Sequence, residues 1–151
     1  MKKYFRKFAK IALVMIYLVI VAGAVVRMTG SGMGCPDWPK CFGYYIPPTQ
    51  IEQLKFHPNH SYKKGIVIIK DEALLVAKED FISNDAIQLN QWEPYTHHDY
   101  AIFNAIHTWV EYINRLLGAA SGIPILIFTV LSFWFWRENK WLTILSIVTV
   151  F

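Results

Sequence analysis

Two long apolar segments without charge constrain this chain more than any other feature of its sequence. Ile11–Val26 contains 16 residues without a charge, and Leu116–Trp136 contains 21. A helix needs about 20 apolar residues to cross the hydrocarbon core of a bilayer. The second segment reaches that length by itself, and the first reaches it when Phe8 and Met28–Thr29 are included. The sequence therefore predicts an all-α integral membrane protein that forms a transmembrane helical bundle.

A third apolar segment begins at Trp141 and continues to Phe151, the last residue. A helix that stopped inside the bilayer would leave its last carbonyl groups unpaired in lipid. We therefore expect an N-terminal fragment of a longer polytopic protein, inactive by itself, with two full spans and the start of a third. The predicted segments are, in chain order, span 8–27, outer loop 28–98, span 99–136 and truncated span 141–151.

Basic residues are concentrated before the first predicted span. Five of the 15 lysines and arginines precede it, whereas residues 27–99 hold seven basic and nine acidic side chains, a net charge of −2. Basic residues are retained on the cytoplasmic side of a membrane. This predicts a multi-pass protein of the cell inner (cytoplasmic) membrane, with a cytoplasmic N-terminus and an extracytoplasmic first loop. We expect no nucleic-acid partner, because that would need a basic face on a folded domain.

A cleaved signal peptide is the alternative interpretation of the N-terminus. Ala22–Ala24 would then be the small-residue cleavage site. The apolar region is long for a signal, and Arg27 follows at the point where a retained helix would meet the interface. We therefore favour a retained span.

The predicted loop and the second span differ in regularity. Four prolines make the first third of the loop irregular, because proline removes a hydrogen-bond donor. The β-branched segment Gly65–Ile69 is expected to form a short strand, and Glu72–Asp80 one or two helical turns. Span 99–136 is expected to be a single helix with Asp99 as its N-cap and Pro124 inside it.

Cys35 and Cys41 are the only cysteines, and they lie six positions apart in the predicted outer loop. Gly30, Gly32 and Gly34 precede them and allow sharp turns where the chain leaves the membrane. A disulfide is the expected state in an oxidising compartment. Two free thiols or a redox-active pair are the alternatives, because a short loop also permits thiol–disulfide exchange.

Polar and small residues share one face of the second predicted span. Helical spacing brings together His107, Glu111, Asn114, Arg115, Gly118 and Gly122. Ionisable groups in a membrane segment normally face a bundle interior or a cavity. Two glycines four positions apart allow another helix or a flat cofactor to approach closely. The alternative is an ion pair between Glu111 and Arg115, with glycines that only pack helices.

The remaining histidines lie in the predicted loop. They are His57, His60, His97 and His98. Imidazole is a common metal ligand, but no second ligand cluster with suitable spacing accompanies them. We interpret them as ordinary polar residues.

The glycine and cysteine segment resembles the first-loop signature of the haem A synthases, the CtaA/Cox15 family. The matching positions are Val26-Arg27, Thr29-Gly30-Ser31-Gly32, Cys35-Pro36-Asp37-Trp38-Pro39, Cys41, Gly43 and Pro47-Pro48. Glu111-Tyr112 and Arg115 resemble the second-helix motif of the same family, glutamate-x-x-histidine-arginine. The resemblance does not reach most of residues 51–95.

This resemblance implies eight transmembrane helices in two four-helix halves, the first for a substrate haem and the second for a cofactor haem. It implies an enzyme, a haem O oxidoreductase that oxidises the C8 methyl of haem O to the formyl group of haem A for terminal oxidase assembly. The implied cofactor is haem b with its iron. The implied partners are the lipid bilayer and haem O, with haem O synthase as a candidate supplier. The oligomeric state is not indicated.

The resemblance also implies roles for single residues. Glu111 would be the catalytic acidic residue beside the substrate. The family's histidine, a candidate iron ligand, is replaced by Asn114, and asparagine is a poor haem ligand. Three hypotheses follow: His107 ligates the iron or handles protons; the iron has no protein ligand on this side and Asn114 hydrogen-bonds its occupant; or His107 is an ordinary interfacial residue.

Four further residues would bind the cofactor or the substrate. Gly118 and Gly122 would form part of an apolar slot for the macrocycle. Arg27 and Arg115 are expected near the outer interface, where guanidinium groups could pair with the anionic haem propionates.

Two other function classes fit the same residues. A membrane thiol–quinone oxidoreductase would use Cys35 and Cys41 as its redox pair. A non-catalytic membrane assembly or transport subunit would use Glu111 and Arg115 only for structure. The absorption spectrum of the purified protein would distinguish all three classes.

Overall fold

The computed structural model describes residues 2–96, 103–138 and 140–149. The chain divides into two compact units. The helical unit contains Met1–Met28 and Ile113–Phe151, and the β unit contains Thr29–Tyr112.

Three α-helices carry the apolar segments. Helix α1 covers Lys2–Thr29, α2 covers Ala105–Ser132 and α3 covers Lys140–Val148, with a 3-10 turn, Phe133–Phe135, after α2. The most apolar 18-residue windows of α1 and of Ala105–Phe135 have mean hydropathies of 2.5 and 2.1 and are only 6% and 11% buried. The core helix of a soluble protein would be covered by its neighbours. Within the residues that the structure describes, two helices are therefore long and apolar enough to cross a membrane.

Helix α2 begins later than the predicted span 99–136. The predicted cap, Asp99, lies outside the described residues, and Asn104 is not helical. The Asn104 Oδ1 atom accepts hydrogen bonds from the backbone N–H groups of Ile106, at 3.0 Å, and His107, at 3.2 Å. Asparagine is among the preferred N-cap residues because it satisfies these otherwise unpaired donors. Asn104 is therefore the N-cap of α2.

Buried hydroxyl groups join α2 to α3 within the helical unit. The Thr129 Oγ1 atom donates to the carbonyl oxygen of Ser146 at 3.1 Å, and Thr143 Oγ1 donates to that of Ser132 at 2.8 Å. The hydroxyl oxygens of Ser132 and Ser146 lie 2.5 Å apart. A polar group in an apolar surrounding needs such a partner. These bonds fix how the two helices pack.

The described residues of the β unit form five short strands, so the all-α prediction is incomplete. Strand β1, Ser61–Tyr62, pairs with β4, Phe81–Ile82. Strands β2, Val67–Lys70, β3, Ala73–Ala77, and β5, Trp92–Pro94, form an antiparallel sheet in the order β2–β3–β5. The loop that separates α1 from α2 thus folds around two small sheets.

The helical turns expected over Glu72–Asp80 are wrong, because most of this segment is strand β3. Asp71 and Glu72 have φ angles of 49° and 62° and form the two-residue connection between β2 and β3. Positive φ at both positions gives a turn whose twist matches that of the flanking strands. The strand expected over Gly65–Ile69 does form, as β2.

The three-stranded sheet is covered on both faces, because successive residues of a strand point to opposite sides. Val67 is 1% exposed and Ile68 is fully buried. The side chains around Val67 are Cys35, Cys41, Phe42, Leu54 and Leu74, and those around Ile68 are Tyr62, Ala77 and Trp92. The first of these two cores contains both cysteines, so the sheet supports the motif of the predicted loop.

Candidate functional site

The glycine-rich segment leaves α1 through a tight turn. Gly30 has a φ of 67°, the left-handed conformation that commonly ends a helix and favours glycine. Thr29 Oγ1 lies 2.6 Å from Ser31 Oγ, and the Gly34 N–H donates to the Ser31 carbonyl oxygen at 3.1 Å. The chain is therefore already folded back when it reaches the first cysteine.

Cys35 and Cys41 form the predicted disulfide, with their Cα atoms 4.9 Å apart. Hydrogen bonds close the same loop: Asp37 Oδ2 accepts the Gly43 N–H at 2.8 Å, and the backbones of Cys41 and Tyr44 exchange bonds of 2.9 and 3.1 Å. Both cysteines are fully buried. A reactive cysteine is normally accessible, so this environment favours a structural disulfide over a redox-active pair.

Glu111 meets the disulfide loop directly. Its carboxylate Oε2 accepts a hydrogen bond of 2.9 Å from the backbone N–H of Cys35, and the two residues are 76 positions apart in the chain. Glu111 is only 6% exposed. The sequence suggested these as separate motifs, and the structure brings them together.

Thr108 lies one turn before Glu111 on α2 and contacts the same loop. Its Oγ1 donates to the carbonyl oxygen of Gly34 at 2.9 Å, and the residue is fully buried. Gly34 lies so close to α2 that an added Cβ would be 2.7 Å from the carbonyl carbon and oxygen of His107. Neither Thr108 nor Gly34 was predicted to act at the site. The available signal was a glycine directly before the first cysteine.

Two tyrosine hydroxyls bind further carbonyl groups of this region. The Tyr95 hydroxyl donates to the carbonyl oxygen of Pro36 at 2.6 Å, and the Tyr112 hydroxyl donates to that of Tyr45. Each bond joins the cysteine segment or its continuation to a residue far away in sequence. The loop is therefore held both by α2 and by the end of the sheet.

His107 lies in the first turn of α2 and is half-buried. It precedes Glu111 by four residues, about 6 Å along the helix axis. Its backbone N–H is bound by the Asn104 cap. The structure thus places His107 at the helix entrance, within the β unit.

The loop histidines show no metal centre. His57 Nε2 lies 2.9 Å from the carbonyl oxygen of Glu52, and the ring centroids of His57 and His60 are 6.0 Å apart. Among the described residues, no three His, Cys, Asp or Glu side chains are grouped to hold a metal ion. His97 and His98 lie outside the described residues.

The other predicted binding residues belong to the helical unit. Arg27 lies in the last turn of α1, and Asn114 and Arg115 are half-buried on α2. Within the described part of the chain, a Cβ added to Gly118 or Gly122 would meet no atom within 4 Å apart from its chain neighbours and the nearby backbone of α2 itself. This side of α2 therefore leaves space for a flat group or another helix.

These residues fit a haem through their apolar part and restrict its axial ligands. The open surface at Gly118 and Gly122 can accept a macrocycle. Haem iron is typically held by His, Met, Cys or Tyr. His107 is the only histidine in the sequence of α2, both cysteines are joined in the disulfide, and the amide of Asn114 is a weak ligand. The hydroxyl of Tyr112, the tyrosine of α2, donates to the Tyr45 carbonyl oxygen, so on α2 His107 has the best chemistry for an axial ligand.

The chain is similar to one protein-family model and to several proteins that share one name. The family model COX15-CtaA, described as a cytochrome oxidase assembly protein, matches residues 6–79. A protein of Shewanella oneidensis named Heme A synthase is 49% identical over 45 residues, which are 30% of this chain and 14% of that protein. A Heme A synthase of Geobacillus thermodenitrificans is 36% identical over 70 residues, 46% of this chain and 22% of that protein. No solved structure matches the chain significantly.

The matched region differs from the recognised motifs in two ways. It continues to residue 79, whereas the resemblance seen in the sequence did not reach most of residues 51–95. It ends before Glu111 and the rest of α2. The matched segments cover 14% and 22% of these two relatives, so this chain spans less than a quarter of either one in its matched part.

Proposed function

We propose that the chain is part of a haem A synthase, because the family model COX15-CtaA, described as a cytochrome oxidase assembly protein, matches residues 6–79. It acts in the oxidation of the C8 methyl of haem O to the formyl group of haem A. The observation that carries this proposal is the buried Glu111 carboxylate, held by the backbone N–H of Cys35. The carboxylate and the cysteine belong to the two motifs that resemble this family.

A buried carboxylate is suited to the proposed chemistry in two ways. It can take up or release a proton at the reacting group, and it can stabilise positive charge that develops beside it. The backbone N–H of Cys35 binds the carboxylate at Oε2, which helps to orient the group. A bound haem b would supply the redox chemistry, and the protein would hold and tune it.

The remaining candidate residues have binding roles in this proposal. Gly118 and Gly122 leave an open side on α2 for the macrocycle. The guanidinium groups of Arg27 and Arg115 would pair with the propionates of a bound haem. His107 is the candidate axial ligand. The protein acts as a multi-pass protein of the cytoplasmic membrane with its N-terminus inside, and haem O synthase is the candidate supplier of haem O.

Replacement of the carboxylate tests this function. In the membrane protein supplied with haem O, Glu111→Gln should abolish formation of haem A, because the amide keeps the size and one acceptor oxygen but loses the charge. The haem content of the variant should stay at the wild-type level. The matched control is Glu93→Gln, the same change at an exposed position of β5, which should leave the yield unchanged. Yield near wild type in Glu111→Gln would reject the catalytic role.

The two alternative functions predict different results. A thiol–quinone oxidoreductase needs sulfurs that cycle and can be reached, whereas Cys35 and Cys41 are fully buried. A non-catalytic assembly subunit would show no haem absorption and no effect of Glu111→Gln on haem A formation. The absorption spectrum and the haem A yield, measured on the same preparation, therefore separate the three functions.

A further inference from the structure

We propose that Thr108 and Gly34 are positioning residues that set the Glu111 carboxylate through the backbone N–H of Cys35. The inference rests on the proposed catalytic role of Glu111. Cys35 is the residue that touches the carboxylate, and its place depends on how the cysteine loop is seated on α2.

The hydroxyl of Thr108 makes an unusual bond for a helical threonine. Threonine in a helix commonly returns its hydroxyl to the carbonyl group three or four residues earlier. The backbone of Thr108 makes the ordinary helical bond, from its N–H to the carbonyl oxygen of Asn104 at 2.9 Å. The Thr108 Oγ1 instead donates to the carbonyl oxygen of Gly34 at 2.9 Å, across 74 positions of sequence. This bond attaches the loop to α2 at the residue directly before Cys35.

Gly34 contributes by its lack of a side chain. Its backbone is not in the left-handed region, since the positive-φ glycines are Gly30, Gly43 and Gly65. An added Cβ would lie 2.7 Å from the carbonyl carbon and oxygen of His107 and 2.8 Å from the Thr108 nitrogen. All three atoms are helix backbone, which cannot move aside as a flexible side chain could. A residue larger than glycine would therefore lift the loop away from α2.

The position of the Cys35 N–H at Glu111 depends on the contacts that Gly34 makes with α2. Thr108 and Glu111 are three positions apart and lie on the same side of α2. Gly34 and Cys35 are neighbours, so the loop presents a carbonyl group to Thr108 and an N–H group to Glu111. Loss of the Thr108 hydrogen bond releases the Gly34 carbonyl group from α2. The neighbouring Cys35 N–H, which orients the Glu111 carboxylate, is then displaced. A displacement of about 1 Å in a catalytic group can lower a rate by about 100-fold.

The test uses Thr108→Val and Thr108→Ser in the complete membrane protein. Valine keeps the shape and removes the donor, whereas serine keeps the donor. Thr108→Val should lower kcat for haem O by about 10-fold to 100-fold and leave KM within about 2-fold, because binding contacts stay in place. Thr108→Ser should restore most of the rate. The control is Thr49→Val, the same change at an exposed position of the β unit, which should change neither kcat nor KM.

A second readout follows the loop itself. Hydrogen–deuterium exchange of the backbone N–H of Cys35 should become faster in Thr108→Val and stay protected in Thr108→Ser. Haem content and the disulfide between Cys35 and Cys41 should not change in either variant. Gly34→Ala should show the same faster exchange, and the Thr108 pair keeps the test decisive if that variant does not fold.

Each outcome decides the proposal. Wild-type rates and protection in Thr108→Val would overturn it. Equal loss in the valine and serine variants would also overturn it, because the loss would then not follow the hydroxyl donor, and loss in Thr108→Ser alone would indicate packing by the methyl group. If the wild-type protein forms no haem A, the proposed function fails. The exchange measurement would still show whether Thr108 holds the Cys35 N–H at Glu111.

Discussion

Cys35 and Cys41 are joined by a disulfide whose Cα atoms lie 4.9 Å apart, and the closed loop places the N–H of Cys35 on Glu111. The disulfide lies in the core below β2. A disulfide between cysteines six positions apart reduces the conformational entropy of the unfolded chain. In the chain-entropy account this stabilises the folded state by about 2 kcal/mol. The loop is thus stabilised by the same bond that helps to shape the site.

The first prediction concerns this bond. Protein isolated without reductant should have no free thiol, and its mass should rise by about 2 Da on reduction because two sulfurs each gain a hydrogen. The paired variant with both cysteines changed to serine should lose about 2 kcal/mol in the unfolding free energy of the β unit. Two free thiols in protein from an oxidising compartment would contradict this assignment.

The second prediction concerns the side of the membrane on which the β unit lies. The test is the labelling of an introduced cysteine by a thiol reagent. Ser83 is unsuitable for it, because the residue is 2% exposed and its hydroxyl donates to the His57 carbonyl oxygen at 2.7 Å, so a cysteine at this position would be inaccessible to the reagent. Glu79 is exposed. Glu79→Cys should react with an impermeant thiol reagent in intact cells, since the basic residues at the start of α1 predict a cytoplasmic N-terminus.

The control for this labelling lies in the helical unit. Glu138 is also exposed, and the predicted topology places it on the cytoplasmic side. Glu138→Cys should therefore react only after the cells are permeabilised. The native cysteines give no background while they are joined. The reverse pattern of labelling would reject the predicted orientation.

The third prediction concerns the hairpin between β2 and β3. Asp71 and Glu72 both adopt positive φ, which costs about 1–2 kcal/mol for residues with a Cβ. Glu72→Gly should stabilise the β unit by about 1 kcal/mol and raise its midpoint of thermal unfolding, because Asp-Gly is a favoured pair for this turn. Glu93→Gly in β5 is the control and should destabilise the unit, since glycine weakens strands. A lower midpoint for Glu72→Gly would show that Glu72 has another role.

The same hairpin shows how far the sequence could predict the fold. The charge-free segments predicted α1 and α2, because an apolar segment of about 20 residues has the length and composition of a membrane-spanning helix. The strand at Gly65–Ile69 was predicted from its β-branched residues. Strand β3 was missed because Ala73–Ala77 has no strict alternation and its formation depends on the turn at Asp71 and Glu72. An Asp-Glu pair does not predict positive φ angles, whereas an Asn-Gly pair would.

The candidate site was predicted in part for a similar reason. An acidic residue in a membrane segment and a pair of cysteines in a loop each indicate a functional or structural motif, so Glu111 and the two cysteines were predicted separately. Their meeting depends on a backbone N–H, which every residue except proline has. The supporting contact of Gly34 on α2 depends on the absence of a side chain. Backbone contacts of this kind are a property of the folded chain and leave little trace in the sequence.

The last prediction concerns the ligand chemistry of α2. His107 lies in the first turn, and Asn114 follows seven residues later, about 10.5 Å along the axis. If His107 ligates the iron of a bound haem, His107→Ala should remove a low-spin absorption signal from the purified protein, and Asn114→Ala should leave that signal in place. If Asn114 instead binds the occupant of an open iron position, Asn114→Ala should lower haem A yield with an unchanged low-spin signal. His107→Ala with unchanged spectrum and yield would reject ligation and make the histidine an interfacial residue at the helix entrance.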